Sequence, residues 1–150
     1  MTLAQQLTKV YLHEATHHKT KLSEEEAGRY YGRVIGNVDV ARHEGRIVGY
    51  VEYWRITFEQ FGRLVCYAPF DIHTEDIQSG NVAFLADVWI APSFRKGLVI
   101  RELRDKFFNR NIQCDYFCGE AQRKKVGLYK VFTKQDAYAK WAKEGVSYGA

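Results

Sequence analysis

The sequence predicts an α/β (α+β) fold, a mixed central sheet flanked by helices. Three observations point there. Two helical segments precede a hairpin. The stretch VAFLADVWI is almost continuously apolar, as an inner strand buried on both faces would be. Beyond it, helical and strand patterns alternate.

The chain has 150 residues, 46% of them hydrophobic and 27% charged, which fits a single domain spanning 1–150. It carries two prolines and no linker or low-complexity run. No apolar stretch approaches the ~20 residues of a membrane span, so no membrane association is expected. The polar helix that starts early is unlike a signal peptide, and the expected location is the cytoplasm.

Leu3, Leu7 and Val10 recur at helical spacing, predicting an amphipathic helix over 3–18. Ser23 followed by three glutamates offers a cap and an acidic first turn for a second helix, ending near Gly36-Asn37. VDVARHE and RIVGYVEYWRI form a predicted hairpin around Glu44-Gly45. Residues 57–80 read as irregular. After Pro92-Ser93, Val99, Leu103 and Phe107 share one face of a helix over 93–109, leaving Arg101, Arg104 and Lys106 to solvent or ligand. CDYFCGEA is a further strand, QRKKVGLYKVF a short helix, and the tail through Trp141 is helical. Cys66, Cys114 and Cys118 lack a CxxC pair and read as buried, reduced thiols.

The segment FLADVWIAPSFRKGLVIREL resembles the central motif of the GNAT superfamily of N-acetyltransferases. There a strand ending in an apolar-x-Pro step feeds a basic, glycine-containing turn that opens a long helix. Helix-start N–H groups and the helix dipole suit a pyrophosphate. The resemblance covers roughly residues 1–133 and implies the acyl-CoA N-acyltransferase fold, with acetyl-CoA as co-substrate and an amine acceptor. It is looser with short acetyltransferase-like proteins of tailed phages, which would place the protein in a host cytoplasm.

By this resemblance Arg95, Lys96, Gly97 and Leu98 cradle the pyrophosphate, and the backbone at Trp89 and Ile90 polarises the thioester carbonyl. Asp87 is the implied general base, with Glu52 in reserve, and Tyr129 protonates the departing thiolate. A structural role stands beside each: Asp87 could pair with a core arginine, Glu52 could face solvent, and Tyr129 could simply pack. The turn departs from the family's Arg/Gln-x-x-Gly-x-Gly/Ala pattern. With Gly97 in the fourth place the sixth is Val99, a β-branched residue where close backbone approach is wanted.

His13-Glu14-Ala15-Thr16-His17 spells the helix motif of zinc hydrolases. No third ligand follows at a familiar spacing and no strand precedes, so no metal is expected. The helix wheel instead carries Glu14 and His17 onto the inward face, making His13, Glu14 and His17 candidate contacts for the acceptor amine. A partly exposed helix end is the alternative.

Residues 1–94 hold 9 Lys/Arg and 12 Asp/Glu, whereas 95–150 hold 13 and 6. The basic half would favour a polyanion, either the cofactor or nucleic acid, with Arg123, Lys124 and Lys125 as contacts. No nucleic-acid motif accompanies them. Three functions follow: acetyl transfer to an amine, a catalytically inactive acetyltransferase-fold binding or structural protein, and nucleic-acid binding or modification.

Overall fold

Three helices begin with the same local device. Thr2 Oγ1 accepts the Gln5 N–H at 3.1 Å while Gln5 Oε1 accepts the Thr2 N–H at 2.8 Å, starting α1 (Leu3–His13). Ser23 with Glu26 and Thr57 with Gln60 repeat this capping box at α2 (Glu24–Val34) and α3 (Phe58–Val65). Each box satisfies two backbone groups that a helix end leaves without partners. The computed structural model describes residues 1–18, 20–120 and 129–143, with the backbone alone at 120, 129 and 141–143.

The hairpin forms as expected. β1 (Val38–His43) and β2 (Arg46–Ile56) pair antiparallel around Glu44 and Gly45, both at positive φ (51° and 78°), as a two-residue hairpin turn requires. β3 (Val82–Ile90) covers the apolar stretch and pairs antiparallel with β2. A short 3-10 turn (Pro92–Phe94) leads to α4 (Leu98–Arg110), then β4 (Tyr116–Glu120), β5 (Tyr129–Thr133) and α5 (Lys134–Lys143). The five strands lie in chain order, with β3 and β4 the parallel pair and the other neighbours antiparallel.

Five expectations change. The first helix stops at His13 rather than reaching residue 18, because the chain turns at Glu14 and the Ala15 N–H folds back to the Val10 carbonyl at 2.9 Å. The stretch 57–80 contains α3, whose capping box was legible but whose eight residues are too few for a clear period. The helix expected from 93 begins only at Leu98, since Gly97 at φ +100° is incompatible with a helical turn. Residues 129–132, expected at the end of a helix, are strand, in keeping with their aromatic and β-branched side chains. Residues 121–128, including Arg123, Lys124 and Lys125, lie outside the described residues. Of the cysteines, Cys114 and Cys118 are buried but Cys66, at the end of α3, is exposed.

The sheet has two differently dressed faces. On one, Gly49 leaves space for α4: a Cβ there would meet Leu103 Cδ1 at 3.1 Å and Val99 Cγ1 at 3.2 Å. Tyr53 meets Phe107 on that same side. The other face, carrying Tyr50 and Glu52, lies under α1 and α2, and Leu7, Tyr31 and Val34 are fully or nearly fully buried among these elements. No described helix is long and apolar enough to cross a membrane.

Candidate active site

The site arises from an irregularity in β3. Glu52 pairs with Asp87 but Tyr53 pairs with Leu85, so Ala86 is an extra residue, a β-bulge. By strict alternation Leu85 and Asp87 would share a face. The bulge separates them, leaving Leu85 toward α4 and β4 and turning Asp87 beside Glu52, under α1 and α2. Bulges of this kind re-aim a side chain, and here the side chain is a carboxylate.

The two carboxylates differ in surroundings. Glu52 is 1% exposed. Its Oε2 accepts the Tyr30 hydroxyl at 2.6 Å and the Trp54 indole N–H at 2.9 Å. Burial pushes its carboxyl up to about 7; the Tyr30 hydrogen bond opposes this and the Asp87 charge adds to it. Asp87 accepts from three groups: His17 Nε2 at 2.8 Å on Oδ1, and His18 Nε2 at 2.9 Å and the Tyr50 hydroxyl at 2.8 Å on Oδ2. Burial alone would raise Asp87, but the histidine hydrogen bonds and charges hold it below the usual carboxylate range. The His18 imidazole is raised in turn by its hydrogen bond to Asp87, against the opposing effect of burial. Two acids on one face, one held ionised and one poised near neutrality, are what proton-transfer chemistry requires.

A cavity of ≈ 210 Å³ opens above them, lined by Tyr11, His18, Tyr30, Tyr31, Glu52 and Asp87 among others. Burial raises the Tyr30 and Tyr50 hydroxyls far above neutrality, so both remain donors to the carboxylates. A larger space of ≈ 360 Å³ adjoins through Leu22 and Tyr30 and reaches Glu26, Arg29 and His73.

On the other side of β3 the sheet opens. Among the described residues, β3 and β4 pair only over 82–84 with 116–118, although β3 continues to Ile90. The Ala91 N–H donates to the Val48 carbonyl in the register of the β2–β3 ladder. Antiparallel pairs alternate between bonded and non-bonded, so Trp89 and Asp87 turn their backbone groups toward β2. Val88 and Ile90 present theirs to the opening. The consequence is visible at Val88, which is 45% exposed although it lies in the middle strand of the sheet. At the end of this opening stands the start of α4, without a side-chain cap, with Arg95, Lys96, Gly97 and Leu98 all exposed.

The residues singled out from sequence thus divide. Asp87, Glu52 and His17 converge. His13 and Glu14 do not: with the helix ended, both are exposed, neither lines the cavity, and Ala15 takes the buried position instead. Trp89 is buried with its backbone engaged by β2, so among the implied carbonyl contacts Ile90 remains the one facing the opening. Its carbonyl already accepts from Arg95 Nε at 3.1 Å, leaving the N–H. Tyr129 opens a strand, paired with Glu120, rather than standing on a helix. Val99 points at the sheet beside Gly49 and does not obstruct the turn. The sequence reading missed His18 and the tyrosines. The adjacent His17-His18 pair and the i, i+2, i+4 set Tyr50, Glu52, Trp54 on one strand were the available signals.

No protein-family model matches the chain, and none of the curated proteins compared matches it. Solved structures do. The chain is similar to the diaminobutyrate acetyltransferase of Paenibacillus lautus, solved with L-2,4-diaminobutyric acid and coenzyme A. The TM-score is 0.52 at 14% identity, covering 94% of this chain and 69% of that one. It is similar to GphF, a GNAT-like decarboxylase solved with isobutyryl-CoA, at TM-score 0.51 and 15% identity, covering 96% and 68%. An acetyltransferase of the GNAT family from Streptococcus pneumoniae gives 0.53 at 13% identity, covering 95% and 77%. These likenesses show the fold: the chain has the acyl-CoA N-acyltransferase (GNAT-like) architecture, a mixed five-stranded sheet flanked by helices.

Proposed function

We propose that the protein transfers an acyl group, acetyl in the simplest case, from acyl-CoA to a small amine. The observation that carries this reading is the arrangement around β3. One side of the strand holds the Asp87 and Glu52 carboxyls at a small tyrosine-lined cavity, and the other is an open edge ending at an uncapped helix start. The fold supports it, and two of the similar structures contain coenzyme A or an acyl-CoA.

The residues suit such a ligand. Gly97 stands at φ +100° with open space around it, so backbone can approach closely. The α4 N–H groups and the exposed Arg95 and Lys96 favour a pyrophosphate. Val88 and Leu98 offer apolar surface, and Val88 and Ile90 a strand edge that no described strand pairs. When bound, the acyl-CoA thioester supplies the activated carbonyl.

The protein's own groups then handle the acceptor. Asp87, ionised, attracts the ammonium into the cavity. Glu52, near neutrality in pKa, takes its proton and frees the lone pair that attacks the acyl carbon. An N–C bond forms, the C–S bond breaks, the nitrogen sheds its second proton to solvent, and the departing sulfur takes a proton, with Tyr129 as the candidate donor, itself reprotonated from solvent. The tyrosine walls shield the amine from water and favour a cation by ring-face attraction.

Calorimetric titration of acetyl-CoA tests the binding half. Arg95→Ala should weaken it by about 1.5–3 kcal/mol, a tenfold to hundredfold loss. Asp87→Asn should leave affinity unchanged while lowering turnover. Absence of heat with wild type at about millimolar ligand, in the ordinary affinity range of co-substrates, defeats the reading.

A further inference from the structure

We propose that His17, His18 and Asp87 form a binding site for a divalent transition-metal ion of the zinc class. The expectation of no metal concerned His13 with His17; the fold instead sets His17 beside His18 and brings Asp87 to them from 70 residues away.

The ligand atoms are gathered already. One nitrogen from each imidazole and a carboxylate oxygen all lie within 4.8 Å of one another. Zinc bonds to histidine and carboxylate are about 2.0–2.2 Å long, so tetrahedral ligand atoms sit about 3.3 Å apart. The present N···O contacts of 2.8 and 2.9 Å fall on different oxygens, Oδ1 and Oδ2, so one opens by about half an ångström while the other ligand atoms, within 4.8 Å of one another, close toward that spacing. Two imidazoles and a carboxylate suit zinc, cobalt or nickel better than calcium or magnesium. Three protein ligands leave a fourth position facing the cavity.

The surroundings are those of a metal site as well. Metal binding at Nε2 puts the imidazole N–H on Nδ1. In His18 that atom is buried and without a hydrogen-bond partner. A ligating histidine ordinarily hands that N–H to an outer acceptor, so this orphaned atom is where one would be sought. On the carboxylate, the Tyr50 hydroxyl fixes Oδ2 at 2.8 Å. The Tyr11 ring, 4.9 Å from that of His18, limits its rotation. Proton balance is simple: the ion replaces the Nε2 hydrogens, which move to Nδ1 in a neutral imidazole or leave to solvent from an imidazolium.

An ion there stands at the mouth of the amine cavity, beside Glu52, and would block the reaction proposed above. The site itself does not depend on that reaction, and its test uses no coenzyme A.

Tag-free protein is titrated with Co²⁺ and its visible ligand-field absorption followed, with Zn²⁺ as competitor. Tetrahedral cobalt bands that Zn²⁺ displaces are expected. His17→Gln, His18→Gln and Asp87→Asn should each weaken binding more than about tenfold, and Tyr50→Phe about tenfold. In wild type, Zn²⁺ should shift the imidazole resonances of His17 and His18 and leave those of His13, His43 and His73 in place, a readout that needs no variant to fold. Absence of bands, bands that survive all three ligand substitutions, or shifts confined to the other three histidines would overturn the proposal.

Discussion

Glu52 concentrates the conflict between stability and function. Its carboxyl is 1% exposed and raised to about 7 from 4.5, so ionising it in the folded protein costs about 3 kcal/mol more than in the unfolded chain. A raised acid makes the native state bind more protons than the unfolded state, and stability falls as pH rises through that window. Glu52→Gln keeps an oxygen acceptor for Tyr30 and Trp54 and removes the charge. The variant should gain about 2–3 kcal/mol at pH 8, on the order of 5 °C in melting temperature, with little gain at pH 5. It should also lose most of its transferase turnover. Wild-type kcat/KM should rise with pH through about 7, and in Asp87→Asn that limb should move to lower pH because a negative neighbour is gone. A flat wild-type profile, or a Glu52→Gln protein with unchanged turnover, removes Glu52 as the base.

Among the elements, the turn before α4 decides the most. Gly97 combines φ +100° with ψ −128°, a conformation open essentially to glycine alone. Space is not the obstacle, since a Cβ there meets nothing within 4 Å. Gly97→Val should therefore cost about 1–3 kcal/mol through backbone strain, read from a denaturant midpoint. It should also reduce acetyl-CoA affinity. Equal stability of wild type and Gly97→Val would show that the turn adapts. The β3 bulge at Ala86 is the other decisive detail, because it puts Asp87 on the face of Glu52 without disturbing the apolar residues around it. Neither a bulge nor a helix end is written in hydrophobic periodicity, which is why the wheel extended α1 five residues too far and misplaced Glu14.

For the whole molecule, the site's titrations set a pH optimum for stability. The depressed Asp87 carboxyl contributes stability that is present above its ordinary 3.8 and lost as acid protonates it. The raised His18 contributes stability present below its ordinary 6.5 and lost as pH rises through its folded value. Glu52 destabilises increasingly above 4.5. All three favour only the range between about 4 and 5, above which Glu52 works against the fold. Thermal melts against pH should peak there, and the double variant Glu52→Gln/Asp87→Asn should show a flatter curve. A wild-type maximum at pH 8 would contradict the electrostatics assigned to the site.

Much of this architecture is local, and the sequence by itself determined it. The two N-terminal helices, the Glu44-Gly45 hairpin and the inner strand VAFLADVWI follow from capping residues, turn residues and apolar runs that act over a few positions. The basic glycine turn could be read in the same way, and with it the likeness to acyltransferases. Which polar residues meet was decided only by tertiary structure. Asp87 and His17 are 70 residues apart, and their contact depends on where α1 stops and on one extra residue in β3. Burial by α1 and α2 then separates two carboxyls of the same chemistry into an ion and a near-neutral acid. That difference is a property of the surrounding dielectric and of hydrogen-bond partners, which no spacing along the chain records.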